Sequence, residues 1–272
     1  MSAYKSFAVI GAGTIGLPIV EALVARSASV VLFSRPGSTK KTIPSGVPVI
    51  EVDFTDVPAL SAALQEHKVD MVLCTVSITG LDVQTALVDA AKFAGVKLFA
   101  PSEYGFPTEG QTEGAMAVQL GIPTVQFYTG LFIEGIPRVT GYSEHGKIRI
   151  VGEGEKFASF TAISDVAGFV AYVLTALPPA ELENREFRME GERVRMKDLG
   201  KIFNTTVEHL DPVPKEKADL RTLLLEVLNS GMGSTGWDVI NNREGSGADG
   251  AGSANGLWPG HQWKSIKEVL KL

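Results

Sequence analysis

The sequence predicts an α/β protein: a doubly wound parallel sheet followed by a smaller C-terminal α+β lobe. Three observations point there. Short apolar runs alternate with helical patterns through the first half of the chain. A glycine-rich turn, with Gly11, Gly13 and Gly16 in the spacing G-x-G-x-x-G, separates the first apolar run from the first helical pattern. The second half is looser, with fewer and shorter strand signals. A division into 1–150 and 151–272 is expected, with later segments adding to the edge of the sheet.

The elements follow in order. "SFAVIG" (6–11) is a buried strand, and "TIGLPIVEALVARS" (14–27) has apolar residues at helical spacing. "SVVLFS" (29–34), "VPVIEVD" (47–53), "DMVLCTV" (70–76) and "VKLFAP" (96–101) are further strands. "DVPALSAALQEH" and "LDVQTALVDAAKFAG" are the helices between them. Strand and helix in repeated alternation give a parallel sheet covered on both faces. Later, "AISDVAGFVAYVLTAL" (162–177) has a Ser/Asp cap and an apolar stripe. "RMKDLGKIF" and "PKEKADLRTLLLEVLNS" are two more helices, and "KIRIVG" and "REFRME" are short strands. The Gly/Ser/Asn-rich stretch 229–256 reads as a mobile loop or a flap over a pocket.

The glycine turn sits where a dinucleotide site needs it. Gly11 permits the tight turn, Gly13 lets backbone approach a pyrophosphate, and Gly16 lets helix and strand pack closely. Thr14 and Ile15 lie inside the turn, and the helix start presents free N–H groups to phosphates. An NAD site usually has an acid about twenty residues on, bonded to the ribose 2′-hydroxyl. That position falls at Ser34-Arg35, and "SRPGSTKK" offers Arg35, Lys40 and Lys41 instead. An Arg fork can hold a 2′-phosphate, so the expected cofactor is NADP(H). Asp53 and Phe54 would flank the adenine. Thr75, Val76 and Ser77, at the end of the fourth strand, would line the ribose and pyrophosphate.

"VIGAGTIG", "SR", "VDFTD", "FAPSEYG" and "GIPTVQFYTGLFIEG" together resemble the NmrA-like and isoflavone-reductase-like atypical short-chain dehydrogenases. The resemblance is strongest over 5–135, and "SDVAGFVAYVL" extends it. It implies a Rossmann domain, NADPH preference, and Pro101, Ser102, Glu103 and Tyr104 beside the nicotinamide. It leaves two activities open. Some members reduce aromatic substrates; others bind the dinucleotide as redox sensors of a protein partner.

The chain departs from the enzyme branch in one respect. That branch places a Lys, the proposed acid/base, on the helix after "PSE(F/Y)G". No Lys stands between Lys97 and Lys147, and the helix around "TEGAMAVQLG" is cut short. No Tyr has a Lys four residues on. Tyr104, Tyr128, Ser102 and Glu103 are then the polar groups nearest the chemistry, with Glu109, Glu113 and His145 as further candidates. His261, between Trp258 and Trp263, reads as a packing residue. Phe106, Phe127, Tyr128, Phe132 and Phe160 would rim an apolar pocket.

A formal charge of −6 gives no footprint for nucleic acid or an anionic membrane surface. No apolar run has the length of a membrane span. The single cysteine, Cys74, cannot form an intramolecular disulfide, which suits the cytoplasm; a regulatory role would add access to the nucleus. The four His show no metal-ligand spacing, so no metal is expected. The expected function is reduction of a small aromatic, carbonyl or quinone-like substrate by NADPH, as a monomer or homodimer. The alternative is a catalytically weak NADP(H) sensor that regulates a protein.

Overall fold

A computed structural model describes residues 4–38, 42–77, 83–108, 121–213 and 218–272. The chain forms two compact units that alternate along the sequence. The first is Met1–Glu103, Gly110–Phe127 and Ala167–Glu186; the second is Tyr104–Glu109, Tyr128–Val166 and Phe187–Leu272. Ala167–Glu186, late in the chain, belongs to the first unit.

In the first unit, β1 (Ser6–Ile10), β2 (Ser29–Ser34), β3 (Val49–Glu51), β4 (Met71–Cys74) and β5 (Leu98–Ala100) form a sheet in the order β3-β2-β1-β4-β5. All its pairings are parallel, with Phe7 opposite Val30 on one side and Met71 on the other. Three helices connect the strands: α1 (Gly16–Ala25), α2 (Val57–Glu66) and α3 (Gln84–Ala94). Phe99 bridges to Thr124, just before β6 (Val125–Tyr128), and β6 pairs with β10 (Arg185–Arg188).

The apolar runs become strands because both faces are covered; β4 and β5 are buried at every residue. Ile10, Phe33, Cys74 and Phe99 pack against Leu60 and Leu64 of α2 and Leu87 and Val88 of α3. Asp56 caps α2 by accepting from the Ala59 N–H at 3.0 Å, and Gly95 ends α3 in the left-handed conformation. The strand order reverses between β1 and β4, where open α/β sheets bind ligands at the carboxyl edge.

Asp70 ties the opposite edge together. Its carboxylate accepts from the N–H groups of Lys5 (2.9 Å) and Ser6 (3.2 Å) and from Lys97 Nζ (2.6 Å). Burial alone would raise its pKa, but these donors outweigh burial and hold it below the ordinary carboxylate range. A depressed folded-state pKa gives stability that is present above the unfolded value, about 4, and lost as pH falls through the folded value. Urea unfolding should therefore show wild type more stable than Asp70→Asn at pH 6, with the gap closing below about pH 4. A gap independent of pH would mean that hydrogen-bond geometry, not charge, is what Asp70 contributes.

In the second unit, β7 (Leu131–Phe132), β9 (Phe157–Thr161) and β11 (Glu192–Arg195) form one sheet in the order β11-β9-β7. β8 (Ile148–Val151) pairs in parallel with β12 (Val207–Leu210). α4 (Ile163–Ala176) starts in this unit and continues into the first, and α5 (Leu220–Ser230) packs on β8 and β9. Ile133, Ile150, Phe160, Leu199, Leu225 and Ile266 belong to its core.

The Gly-rich stretch contains a small hairpin, β13 (Trp237–Asp238) with β14 (Arg243–Glu244). It differs from the expected mobile loop because its start is anchored. Ser234 and Thr235 are fully buried, the Thr235 N–H donates to Ser159 Oγ (3.0 Å), and Ser159 Oγ donates to Glu190 (2.6 Å). Burial pushes the Glu190 carboxyl up.

Candidate functional site

The glycine turn follows β1 at the point where the strand order reverses. The Gly11 N–H donates to the Phe33 carbonyl at 2.9 Å, and Gly11 has φ +102°, which L side chains rarely adopt. A Cβ on Gly16 would run into the Gly11 carbonyl oxygen and Thr75 Oγ1. Both glycines are therefore demanded by the protein's own packing. Gly13 is not: its φ is not positive, and a Cβ there would meet only the Thr75 carbonyl oxygen, at an ordinary 3.7 Å. What a side chain at Gly13 would fill is the space before the turn. That suits a group approaching the backbone. α1 begins just behind, with no side chain capping its first N–H groups. These residues fit a pyrophosphate.

Thr75 supports this turn from beneath. Its hydroxyl lies 2.8 Å from the Gly11 carbonyl and 3.0 Å from the Ile10 carbonyl, and the residue is buried. It fixes the turn; its hydroxyl is engaged inward rather than toward a ligand.

At the end of β2, the Ser34 carbonyl accepts from the Val52 N–H (3.0 Å). Arg35 is exposed and opens a turn closed by the Ser38 N–H. Glu51 stands opposite Ser34 on β3, exposed, and was not weighed in the sequence reading because the pairing of β2 with β3 was not legible there. Asp53 is also exposed. Its carboxylate accepts from the Thr55 N–H (2.9 Å) and hydroxyl (2.8 Å), which hold its pKa below the ordinary range. Phe54 is buried in the core. Lys40, Lys41, Glu109, Glu113 and the helix expected around "TEGAMAVQLG" lie outside the described residues.

The ends of β4 and β5 are tied together through Ser102. Its hydroxyl donates to the Val76 carbonyl (2.7 Å), and its N–H donates to the side chain of fully buried Gln84 (2.8 Å). Ser102 thus positions the segment Pro101–Glu103, and its proton is committed to a backbone carbonyl. Pro101 and Glu103 are buried, and the Glu103 N–H closes a tight turn on the Pro101 carbonyl. Ser77, next after Val76, is exposed.

Tyr104 and Tyr128 belong to the second unit. Tyr104 is half-buried. Tyr128 is fully buried, with the Arg188 guanidinium 5.1 Å from its ring centroid and Arg188 Nη1 donating to the Thr235 carbonyl (2.9 Å). Arg188 was missed in the sequence because "REFRME" reads only as a strand. Phe127, Tyr128 and Phe160, expected to rim a pocket, are core residues instead, because β6 and most of β9 are buried on both faces. Phe106 and Phe132 are half-buried. His145 is half-exposed beside Arg149 (3.1 Å). His261 stacks on Trp258 with ring centroids 3.7 Å apart, and Trp263 meets it edge-on. Among the described residues, no group of three His, Cys, Asp or Glu could hold a metal, and no helix is long and apolar enough to cross a membrane.

The fold and turn define a doubly wound α/β protein with a glycine-rich turn at its switch point. The model of the NmrA-like family matches residues 4–120. Oxidoreductase BOA1 of Botryotinia fuckeliana is 32% identical over 235 residues, 74% of this chain and 77% of that protein. Among solved structures, the binary complex of Vitis vinifera leucoanthocyanidin reductase with NADPH has a TM-score of 0.75 at 20% identity, covering 98% of both chains. An isoflavone reductase gives 0.70 at 19%, covering 98% of this chain and 99% of that one. The NADPH-dependent quinone oxidoreductase QOR2 of Escherichia coli gives 0.69 at 20%, covering 97% and 98%. The chain belongs to the NmrA-like family.

Proposed function

We propose that the chain is an NADPH-dependent reductase of a small aromatic, carbonyl or quinone-like substrate. Gly13 is the observation that carries this reading: a glycine at the switch point that the protein's own packing does not require. The similar structures bound to NADPH, and a relative called an oxidoreductase, support it. When bound, the dinucleotide supplies hydride. The turn at Gly11–Gly16 and the start of α1 hold the pyrophosphate. Arg35 takes the 2′-phosphate, and Ser102 positions Pro101–Glu103 through Val76 and Gln84. Tyr104 carries the proton for carbonyl substrates, while a quinone takes its proton from water.

Calorimetric titration with NADPH, followed by 340 nm absorbance with quinones and aldehydes, tests the reading; binding without turnover across the panel would overturn it. Arg35→Gln should weaken NADPH at least ~10-fold and leave NADH within about 2-fold. Equal losses for both would mean that Arg35 does not read the 2′-phosphate. Tyr104→Phe should lower aldehyde reduction ~100-fold and change quinone reduction little; parallel losses in stopped-flow rates would remove Tyr104 as proton carrier.

One observation favours a second reading, a dinucleotide sensor acting on a protein partner. From residue 98 to 146 there is no Lys, and the Ser102 hydroxyl is already committed to Val76. That reading predicts tight NADPH binding, no turnover, and partner affinity that changes with the cofactor.

A further inference from the structure

A cavity of about 380 Å³ lies wholly within the second unit, near the lower end of small-ligand sites. Phe157 at the start of β9, Arg193 of β11, Gly231 after α5, and Trp237, Arg243 and Glu244 of the hairpin line it. Its aromatic walls are built deliberately. Gly231 has φ +105°, and a Cβ there would lie 2.7 Å from a Trp237 ring carbon, so this glycine seats the indole. Phe157, at the open end of β9, is 43% exposed, while the other four residues of that strand are buried. Arg195 and Arg193, two apart on β11, hold their guanidinium carbons 4.9 and 5.4 Å from its ring centroid.

The charges are unevenly matched. Glu155 is engaged by Lys197 (2.6 Å) and Arg195 (3.9 Å). Glu244 is engaged by Arg193 (2.9 Å) and by the Ser234 hydroxyl (2.8 Å). Lys156 and Arg243 also line the cavity. Arg243 stands opposite Asp238 in the hairpin and, after the Asn241 N–H, its charge helps hold that carboxylate below the ordinary range, without a salt bridge between the two. A chain with a net charge of −6 thus places Lys156 and Arg243 beside two aromatic rings, with no carboxylate of the cavity lining in a salt bridge to either. Aromatic faces take a flat ring, and a guanidinium takes a carboxylate through paired N–H groups. We propose that this cavity binds a planar aromatic carboxylate, its ring against Trp237 and Phe157 and its carboxylate on Arg243 and Lys156. The site is independent of the glycine turn and of any reductase activity.

The chain has three tryptophans, so protein labelled with fluorinated tryptophan gives a local readout, with each resonance assigned by a Trp→Phe substitution. Cinnamate is the probe and cinnamyl alcohol its neutral counterpart. Cinnamate should shift the Trp237 resonance saturably, and the alcohol should bind at least ~10-fold more weakly. Arg243→Glu should weaken cinnamate ~10-fold, while Lys267→Glu, the same charge change at an exposed site on Ile266–Leu270, should leave it unchanged. A static Trp237 resonance, acid and alcohol binding alike, or equal losses in the two variants would each overturn the proposal.

Discussion

Gly13→Val is expected to lower NADPH affinity at least ~100-fold while leaving thermal stability nearly unchanged. The argument rests on the contrast between three glycines in one turn. At Gly16 a Cβ meets backbone and the Thr75 hydroxyl, neither of which can retreat without opening the β1–α1 junction. Gly16→Ala should therefore destabilise the fold by about 2–3 kcal/mol, and any loss of cofactor would follow from that. At Gly13 the nearest atom is the Thr75 carbonyl oxygen, at van der Waals distance. A valine there costs the apo protein little and occupies the approach to the N–H groups of α1. Calorimetric titration beside thermal melts separates the two. If Gly13→Val binds NADPH as wild type does, the pyrophosphate does not lie on this turn, and the proposed function loses its main support.

The first unit was legible because its strands are covered on both faces and its glycines answer to backbone geometry. "SVVLFS" matches β2 residue for residue, while the edge strand β3 keeps only Val49–Glu51 of the seven residues "VPVIEVD". An edge strand has one partner, so its ends lose pairing first. Residue type was legible at Thr75 and Ser102, but direction was not. Both were read as facing a ligand, and both spend their hydroxyls on backbone carbonyls, Gly11 and Val76. Those contacts join segments 26 and more residues apart, which no local pattern encodes. The burial of Tyr128 was hidden for the same reason: whether the end of a short strand is covered depends on what packs over it, here Arg188. The Gly-rich stretch was read from its composition, which reports backbone freedom and says nothing of the buried anchors at Ser234 and Thr235.

Asp165→Ala should destabilise the protein by about 3 kcal/mol, the largest single-residue loss expected in the second unit. Asp165 lies in the first turn of α4, where a carboxylate complements the helix dipole, and it is almost fully buried. Its Oδ2 accepts from the Lys264 N–H at 2.7 Å, and its Oδ1 faces His261 Nε2 (3.4 Å) and Lys264 Nζ (3.7 Å). Lys264 Nζ donates to Ser164 (2.7 Å), so the chain near its end is fastened to the start of α4 at several points. Truncation leaves the Lys264 backbone N–H facing a space with no acceptor and removes the carboxylate beside Lys264 Nζ. Asp165→Asn keeps an oxygen for the Lys264 N–H and should recover roughly half of the loss. Hydrogen exchange at the Lys264 amide supplies the local check. Faster exchange in Asp165→Ala, largely restored in Asp165→Asn, would show that the acceptor fastens this segment; equal exchange in both would assign the effect to the carboxylate charge.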